Sequence, residues 1–227
     1  MSRSVRRRFG ALVLVAILAC GVTASAQGVK EFDPRLYAPS PPPGSSYVRV
    51  VNAGTAAANV AIGSAAPLTL DSSHRIATAY RVVPGRASVA ITVDGKESRI
   101  AVPPDKFLTV VYRPGGAKLT TITDDPGEDN PLLAQLRFYN LVAGCPGSLA
   151  LEKGPSIFSA VAPNEEKSRS INPVVATLTT MCGSRAGTSL KLPLLKARDR
   201  YSIFLVGHSS KPVAVGNADS TEPFKGG

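Results

Sequence analysis

The chain of 227 residues contains no tryptophan, only two histidines and only three cysteines. It has no Gly-x-Ser-x-Gly segment, which would present a nucleophilic serine, and no glycine-rich phosphate loop. Neither Cys145 nor Cys182 has a second cysteine or a histidine close to it in sequence, as a zinc site would need. The sequence therefore predicts no catalytic residue, no metal site and no cofactor.

The segment Asp71-Ser-Ser-His74 is the one that carries the residue types of a hydrolytic site. Because catalytic triads are assembled in space rather than along the chain, these residue types alone do not predict one. We expect His74 to lie in a turn, and His208 in a loop that follows a strand. An enzyme that transfers acetyl groups through His74 or a serine stays open as a minor possibility.

The N-terminus is typical of a secretory signal peptide. Four arginines precede an apolar stretch from Phe9 to Cys20, which is too short to span a bilayer, and Ala24-Ser-Ala26 suits cleavage after Ala26. We therefore expect an exported, periplasmic protein that begins at Gln27. The segment Ile17-Leu-Ala-Cys20 loosely resembles a lipoprotein signal, so a lipid-modified Cys20 is the alternative.

After removal of residues 1–26 the chain keeps 22 basic and 16 acidic residues, so it is moderately basic. No dense cluster of basic residues is interleaved with aromatics, and an exported protein meets no nucleic acid, so we expect none as a partner. The acids concentrate in residues 123–131, which hold Asp124, Asp125, Glu128, Asp129 and no base. We expect this segment to be a solvated linker, and Glu165–Glu166 to be a solvated pair.

Cys145 and Cys182 are the two cysteines outside the signal peptide. A single pair of cysteines in an exported chain is most simply explained by a disulfide bond. Closing a loop of this size would stabilise the fold by roughly 3–4 kcal/mol in the chain-entropy model.

From Tyr47 onwards, short apolar runs alternate with turn residues, and no amphipathic helix is evident. The run at 87–93 alternates with period two and is followed by Asp94-Gly95, a strong signal for a hairpin turn. Sheets with one apolar face must bury that face against another sheet, which predicts antiparallel β-sandwiches. The predicted core of the first sandwich consists of Val48, Val50, Ile62, Val89, Ile91, Val93, Ile100, Leu108 and Val110.

The chain also repeats itself at a distance of 88 residues, which places Arg49 against Arg137 and Asn52 against Asn140. In both copies an arginine is followed three residues later by an asparagine that closes an apolar run. Residues 107–112 and 201–206 likewise appear as equivalent penultimate strands. We therefore predict an all-β protein of two tandem antiparallel, Ig-like β-sandwiches. The predicted boundaries are a signal peptide at 1–26, a proline-rich tether at 27–46, sandwiches at 47–122 and 132–216, the acidic linker at 123–131 and a flexible tail at 217–227.

Several short motifs together resemble the alginate biosynthesis protein family AlgF, densely up to Gly116 and more thinly afterwards. They are Leu36-Tyr-Ala-Pro39, Pro43-Gly-Ser45, Tyr47–Gly54, Pro84-Gly85, Asp105-Lys-Phe107, Arg113–Gly116 and Ser170–Pro173. The chain departs from the family pattern in Cys145, Cys182 and inserted loops near residues 144–147 and 155–166.

The resemblance implies a periplasmic, non-catalytic adaptor of exopolysaccharide O-acetylation with two β-sandwiches. Its expected partners are a membrane O-acyltransferase and periplasmic acetyltransferases, and the polymer is alginate or an alginate-like polysaccharide. The alternative function is a carbohydrate-binding module that guides an anionic polysaccharide along a basic face; such a face would need several of Arg49, Arg81, Arg86, Arg99 and Arg113 to be exposed together. The candidate binding residues are Leu36, Tyr37, Arg49, Arg81, Arg86 and Arg113.

Overall fold

The structure is a computed structural model that describes residues 41–116, 118–127 and 130–224. The predicted signal peptide, most of the tether with Leu36 and Tyr37, and the linker acids Glu128 and Asp129 lie outside these residues. The described residues form strands, turns and loops only, which confirms the all-β prediction. Within this part of the chain there is no helix of the length and apolarity that crossing a membrane requires.

Eight strands of the first half form the first sandwich. They are β1 (Ser45–Asn52), β2 (Ala58–Ile62), β3 (Leu68–Leu70), β4 (Arg81–Pro84), β5 (Ser88–Val93), β6 (Lys96–Ala101), β7 (Phe107–Tyr112) and β8 (Thr120–Asp124). Sheet 1 has the order β4-β1-β7-β8, and sheet 2 has the order β3-β2-β5-β6.

Nine strands of the second half form the second sandwich. They are β9 (Ala134–Asn140), β10 (Gly147–Leu151), β11 (Ser156–Val161), β12 (Glu165–Ile171), β13 (Ala176–Cys182), β14 (Arg185–Ala186), β15 (Leu190–Leu192), β16 (Arg200–His208) and β17 (Lys211–Ala218). Sheet 3 has the order β12-β9-β16-β17, and sheet 4 has the order β11-β10-β13-β14 with β15 also paired to β13.

The two sandwiches share one topology, which confirms the tandem architecture. In each, the first strand pairs antiparallel with one neighbour and parallel with the penultimate strand, as β1 does with β7 and β9 with β16. The parallel pairs were not predicted, because strand order within a sheet is set by long-range contacts. Arg49 faces Thr109 across its parallel pair as Arg137 faces Ser202, so the 88-residue repeat marks structurally equivalent positions.

The sequence repeat of asparagines has a structural cause. The side-chain amide of Asn52 donates to the carbonyls of Ala56 and Leu70 and accepts from the N–H of Gly54. Asn140 makes the same three kinds of contact at the end of β9, with Cys145, Val161 and Val142. Each buried asparagine therefore ties the end of the first strand to the following loop.

The core prediction for the first sandwich is confirmed, because all nine predicted side chains are buried and belong to one apolar cluster. The turn at Asp94-Gly95 is also confirmed, since both residues have positive φ. At Gly85 a side chain would collide with the carbonyl oxygen of Gly44 and with Pro104. Because glycine has no side chain, the Pro84-Gly85 turn can pack directly against the segments that contain Gly44 and Pro104.

Cys145 and Cys182 form the predicted disulfide bond, with 5.4 Å between their Cα atoms. It joins the loop before β10 to the end of β13, and both cysteines are buried in the second core. The bond is therefore a cross-link inside the core of the second sandwich.

Two details of the predicted organisation are wrong. Asp124 belongs to β8 and is buried, so the acidic linker is shorter than predicted and its first acid is not solvated. The predicted flexible tail begins inside β17, and the side chain of Asp219 just after it is only 3% exposed.

The sandwiches are packed against each other through sheets 1 and 3. An apolar cluster crosses this contact and draws residues from both halves: Val51, Ala53, Ile76, Ala77, Val111, Ile122, Tyr139, Leu141, Phe204 and Val206. Burial of large apolar side chains is the dominant stabilising contribution to such a contact. The two sandwiches therefore form one body rather than two domains held only by a linker.

Candidate functional site

The most prominent concentration of polar side chains in the described residues is buried between sheets 1 and 3. We call it the interface network, and it consists of Arg49, Tyr80, Thr109, Asp124, Arg137, Tyr139, Ser202 and Asp219. Buried charges are tolerated only when they are paired and hydrogen-bonded, so the geometry of each member decides what the network can do.

Arg49 is fully buried and uses all three of its guanidinium nitrogens. Its Nε donates to Thr109 Oγ1 at 2.8 Å, and one terminal nitrogen donates to Asp219 Oδ1 at 2.6 Å. The other terminal nitrogen donates to Tyr139 Oη at 2.8 Å and to Ser202 Oγ at 3.0 Å. Since Asp219, Tyr139 and Ser202 belong to the second sandwich, this one side chain joins the two halves.

Aromatic rings enclose the same guanidinium. Its central carbon lies 4.5 Å from the ring centre of Tyr80, 5.2 Å from that of Tyr139 and 5.1 Å from that of Phe204. Rings at these distances stabilise a cation and exclude water from it. This environment explains how a charged side chain is held at the centre of an apolar contact.

Asp124 is the buried carboxylate that the first sandwich contributes to the interface network. Its Oδ2 accepts from Tyr80 Oη at 2.7 Å and from Thr109 Oγ1 at 2.8 Å, while its Oδ1 accepts from Tyr139 Oη at 2.8 Å. Three hydroxyl donors thus pair with this carboxylate, which is buried away from solvent.

Arg137 is the counterpart of Arg49 and is less completely paired. One terminal nitrogen donates to the carbonyl of Asp125 at 2.7 Å, while its contacts to Asp219 and Tyr80 are both long at 3.4 Å. Its Nε is buried without a hydrogen-bond partner among the described residues. Arg137 is therefore the less well satisfied of the two arginines.

The network is pseudo-symmetric. Each sandwich contributes an arginine from its first strand, a hydroxyl from its penultimate strand and an aspartate at, or directly after, the end of its last strand. They are Arg49, Thr109 and Asp124 in the first sandwich and Arg137, Ser202 and Asp219 in the second. The two guanidinium groups are thereby matched by two carboxylates. The hydrogen bonds that cross between the sandwiches fix how the two halves are oriented.

The pKa shifts of Arg49, Tyr80 and Tyr139 agree with this pairing. Burial alone lowers the pKa of Arg49, but Tyr139, Asp219, Tyr80 and Asp124 around it outweigh that effect and raise the pKa well above its usual range. Burial raises the pKa of Tyr80 and of Tyr139, so both phenols keep the protons that they donate. None of these three side chains changes its charge near neutral pH.

Glu166 on β12 lies at the margin of the network, with one carboxylate oxygen 3.4 Å from the backbone nitrogen of Asp125 and the other without a partner among the described residues. Burial raises the pKa of Glu166 to about 7, although the Asp125 N–H and Arg137 act against this rise. The prediction of a solvated Glu165–Glu166 pair is therefore wrong for Glu166.

The candidate binding arginines do not form one exposed face. Arg49 is fully buried, so its prediction as a surface binding residue is wrong; its position at the contact between two sandwiches could not be recognised from one strand. Arg113 is half-buried and joins the sandwiches by donating to Leu141 O and Asn164 Oδ1. Arg81 pairs with Glu222 at 2.6 Å. Arg86 is exposed at a turn, and its binding role stays a prediction.

The Asp71–His74 segment forms a turn, as predicted. Asp71 Oδ1 accepts from the backbone N–H groups of Ser73 and His74 and from Ser73 Oγ at 2.6 Å. The ring atom His74 Nδ1 lies 2.9 Å from Ser73 Oγ and 3.2 Å from the same carboxylate oxygen. In a catalytic triad the imidazole separates serine from aspartate through its two nitrogens, which this arrangement does not do.

Sequence reasoning missed Asp124 and Asp219 as partners of the two arginines, as well as Tyr80 and Tyr139. The spacing that relates Arg49 to Arg137 was the one available signal, because it marked both arginines as parts of a repeat. No cluster of three metal-ligating His, Cys, Asp or Glu side chains occurs in the part of the chain that the structure describes.

Comparison with known proteins identifies relatives along most of the chain. The family model for the alginate O-acetyl transferase AlgF matches residues 18–201. The alginate biosynthesis protein AlgF of Pseudomonas aeruginosa is 29% identical over 205 residues, which cover 87% of this chain and 88% of that protein. The alginate biosynthesis protein AlgF of Pseudomonas putida is 27% identical over 191 residues, 84% of this chain and 86% of that protein.

Among solved structures, the C-terminal domain of AlgF from P. aeruginosa aligns with a TM-score of 0.34 and 26% identity, covering 38% of this chain and 98% of that domain. The family assignment rests on the sequence match, which extends over both sandwiches. The chain belongs to the AlgF family of alginate biosynthesis proteins.

Proposed function

We propose that this protein is a non-catalytic adaptor in the O-acetylation of alginate or an alginate-like exopolysaccharide. It acts in the periplasm, where it holds a membrane O-acyltransferase and periplasmic acetyltransferases together. Membership of the AlgF family places the protein in alginate biosynthesis. The adaptor role and its partners go beyond that membership and rest on the interface network.

The interface network is the observation that carries the proposal. Arg49 of the first sandwich pairs with Asp219 of the second, and Tyr139 of the second donates a hydrogen bond to Asp124 of the first. A catalytic site needs groups that are poised toward a substrate, with a nucleophile and base in contact and room for the reacting atom. Here the buried side chains of the interface network instead hold the two sandwiches in a fixed orientation. A fixed orientation suits a scaffold that presents surfaces to two partners at once.

The turn at Asp71–His74 supports the same view. The side chain of His74 is 85% exposed, and its Nδ1 shares the Asp71 carboxylate with Ser73. A serine whose hydroxyl donates directly to a carboxylate is not activated by an imidazole base. The local geometry therefore explains these contacts as a turn stabilised by an aspartate side chain.

Co-purification and an esterase assay test the proposal together. The mature chain, with its disulfide intact, should retain a periplasmic acetyltransferase on an affinity column and should not hydrolyse p-nitrophenyl acetate above the rate of a heat-denatured sample. Hydrolysis that is lost in His74→Ala would overturn the proposal in favour of an enzyme. Failure to retain the acetyltransferase would equally contradict the adaptor role.

A further inference from the structure

A small cavity lies at one end of the contact between the two sandwiches, where β7 and β16 begin. It has a volume of about 290 Å³. Tyr80 and Phe107 line it on the side of the first sandwich, and Arg137 and Arg200 line it on the side of the second. Residues 219–221, directly after β17, complete the lining. The cavity therefore has an aromatic wall and a cationic wall.

The internal repeat explains why the two walls differ. Tyr47 faces Phe107 across β1 and β7, as Gln135 faces Arg200 across β9 and β16. These pairs are equivalent, because Tyr47 and Gln135 are related by the same spacing of 88 residues as the two arginines of the interface network. In the first sandwich the pair is a ring stack with centres 4.4 Å apart, whereas in the second it is an amide and a guanidinium.

Arg137 has hydrogen-bond donors left for a ligand. One terminal nitrogen has only long contacts of 3.4 Å to Tyr80 and Asp219, and both of these residues line the cavity, so this end of the guanidinium faces it. Its Nε is buried without a partner among the described residues. Weakly paired buried donors cost free energy, which a bound acceptor would recover.

Arg200 adds a positive charge that has no counter-ion. Because alternate side chains on a strand share a face, Arg200 leaves β16 on the same side as Ser202 of the interface network. It is half-buried and makes no ion pair within 4 Å in the part of the chain that the structure describes. Asp125 and Glu166 are other acids near Arg137, but neither lines the cavity. The buried charges of the interface network are two arginines and two aspartates, so one negative charge would balance the cavity.

We propose that this cavity binds a small organic monocarboxylate. The carboxylate lies between Arg137 and Arg200, since the planar guanidinium fork matches two carboxylate oxygens, and the apolar body of the ligand lies against Phe107 and Tyr80. A volume of about 290 Å³ is at the lower end for small-molecule sites, which favours a free small molecule over a segment of a protein chain. The site goes beyond the adaptor function and does not depend on it.

Two probes of the same shape test the charge of the ligand. They are para-fluorobenzoate and its uncharged amide, para-fluorobenzamide, each followed by fluorine NMR during titration with the oxidised mature chain. The benzoate should bind saturably and more weakly in high salt, and the amide should bind at least about tenfold more weakly. Equal binding of both probes, or binding of neither, would overturn the proposal.

Competition against para-fluorobenzoate distinguishes a free small carboxylate from the carboxyl terminus of a protein chain. Unlabelled benzoate should displace the probe at a lower concentration than acetate, because acetate lacks the apolar body that contacts Phe107. It should also do so at a lower concentration than a tripeptide that ends in a free carboxylate. If the tripeptide competes better than benzoate, the site accepts a chain end and the assignment to a small molecule is wrong. Equal competition by acetate would contradict the role of the aromatic wall.

Matched arginine variants test the location. Arg200→Gln should weaken binding of para-fluorobenzoate by about tenfold or more, because it removes one of the two cations. Arg198→Gln is the control: it removes the same charge two residues away, at an exposed position that does not line the cavity, and should change binding by less than about twofold. Thermal unfolding checks that both variants fold. Equal effects of the two variants, or no effect of Arg200→Gln, would contradict the assignment.

Amide NMR spectra of the unmodified chain locate the ligand without any substitution. On saturation with benzoate the largest shifts should include the amides of Ser220 and Thr221, which line the cavity. The amides of Ser98 and Arg99, on β6 of sheet 2, should stay in place. Unchanged signals of Ser220 and Thr221 at saturation would show that the carboxylate binds elsewhere and would overturn the proposal.

Discussion

Replacement of Arg49 by methionine is the most informative perturbation of the fold. Methionine keeps most of the apolar volume among Tyr80, Tyr139 and Phe204, so the variant removes the charge and four hydrogen bonds while limiting the cavity. It leaves the carboxylate of Asp219 buried with Ser202 at 2.8 Å and Arg137 at 3.4 Å as its remaining side-chain partners.

The expected loss of stability follows from that residual pairing. Removing one partner of a buried ion pair costs about 3–5 kcal/mol. Because Arg137 still compensates part of the Asp219 charge, we expect Arg49→Met to lie at the lower end, at about 3 kcal/mol. For a chain of this size, this corresponds to a fall in Tm of about 6–12 °C.

Urea and thermal unfolding of the oxidised protein measure this loss. Arg99→Met is the matched control, because Arg99 is 63% exposed and pairs only with an exposed glutamate; we expect a change within about 0.5 kcal/mol. Adding Asp219→Asn to Arg49→Met should cost less than the sum of the single changes, with a coupling of about 1–3 kcal/mol. A loss below about 1 kcal/mol for Arg49→Met, or strict additivity of the pair, would refute the account of the network.

Three further predictions concern other buried features. Reduction of the Cys145–Cys182 bond, which spans 37 residues, should lower the free energy of unfolding by about 3–4 kcal/mol, and urea midpoints with and without dithiothreitol measure this. Since the pKa of Glu166 is about 7 in the folded state against 4.5 ordinarily, the unfolded chain releases a proton between these values that the folded chain keeps, so stability falls as pH rises through this window. Glu166→Gln should flatten that pH profile and gain about 1–2 kcal/mol at pH 8, a figure reduced for the partial exposure of the carboxyl; an unchanged slope would contradict the assignment. Truncation after Ala218 should cost about 3 kcal/mol or more because it leaves Arg49 and Arg137 without Asp219, whereas truncation after Asp219 should cost less; equal losses would show that the ion pair is unimportant.

Local patterns in the sequence predicted the elements of the fold well. Alternation around Val89 to Val93 and the Asp94-Gly95 turn each reflect the preferences of residues close together in the chain, and both were confirmed. The repeat of asparagines was also informative, since Asn52 and Asn140 make local contacts within 21 residues of themselves.

The site could not be predicted in the same way, because its partners are distant in sequence. Arg49 pairs with Asp219, which is 170 residues away in the sequence. No residue near Arg49 in the sequence indicates that this carboxylate will be its partner. An arginine on a strand is ordinarily exposed at its charged end, so the sequence predicts a surface residue. Loops of unequal length in the two halves also shift the aspartates, Asp124 and Asp219, away from the 88-residue spacing that relates the two arginines.

The adaptor role is tested most directly by whether this chain joins two enzymes that otherwise stay apart. The measurement is size-exclusion chromatography with light scattering on a detergent-solubilised membrane O-acyltransferase and a periplasmic acetyltransferase, with and without the oxidised mature chain. An adaptor should give one complex containing all three proteins that forms only when the chain is present. Association of the two enzymes to the same extent without it, or binding of only one enzyme at a time, would contradict the adaptor function.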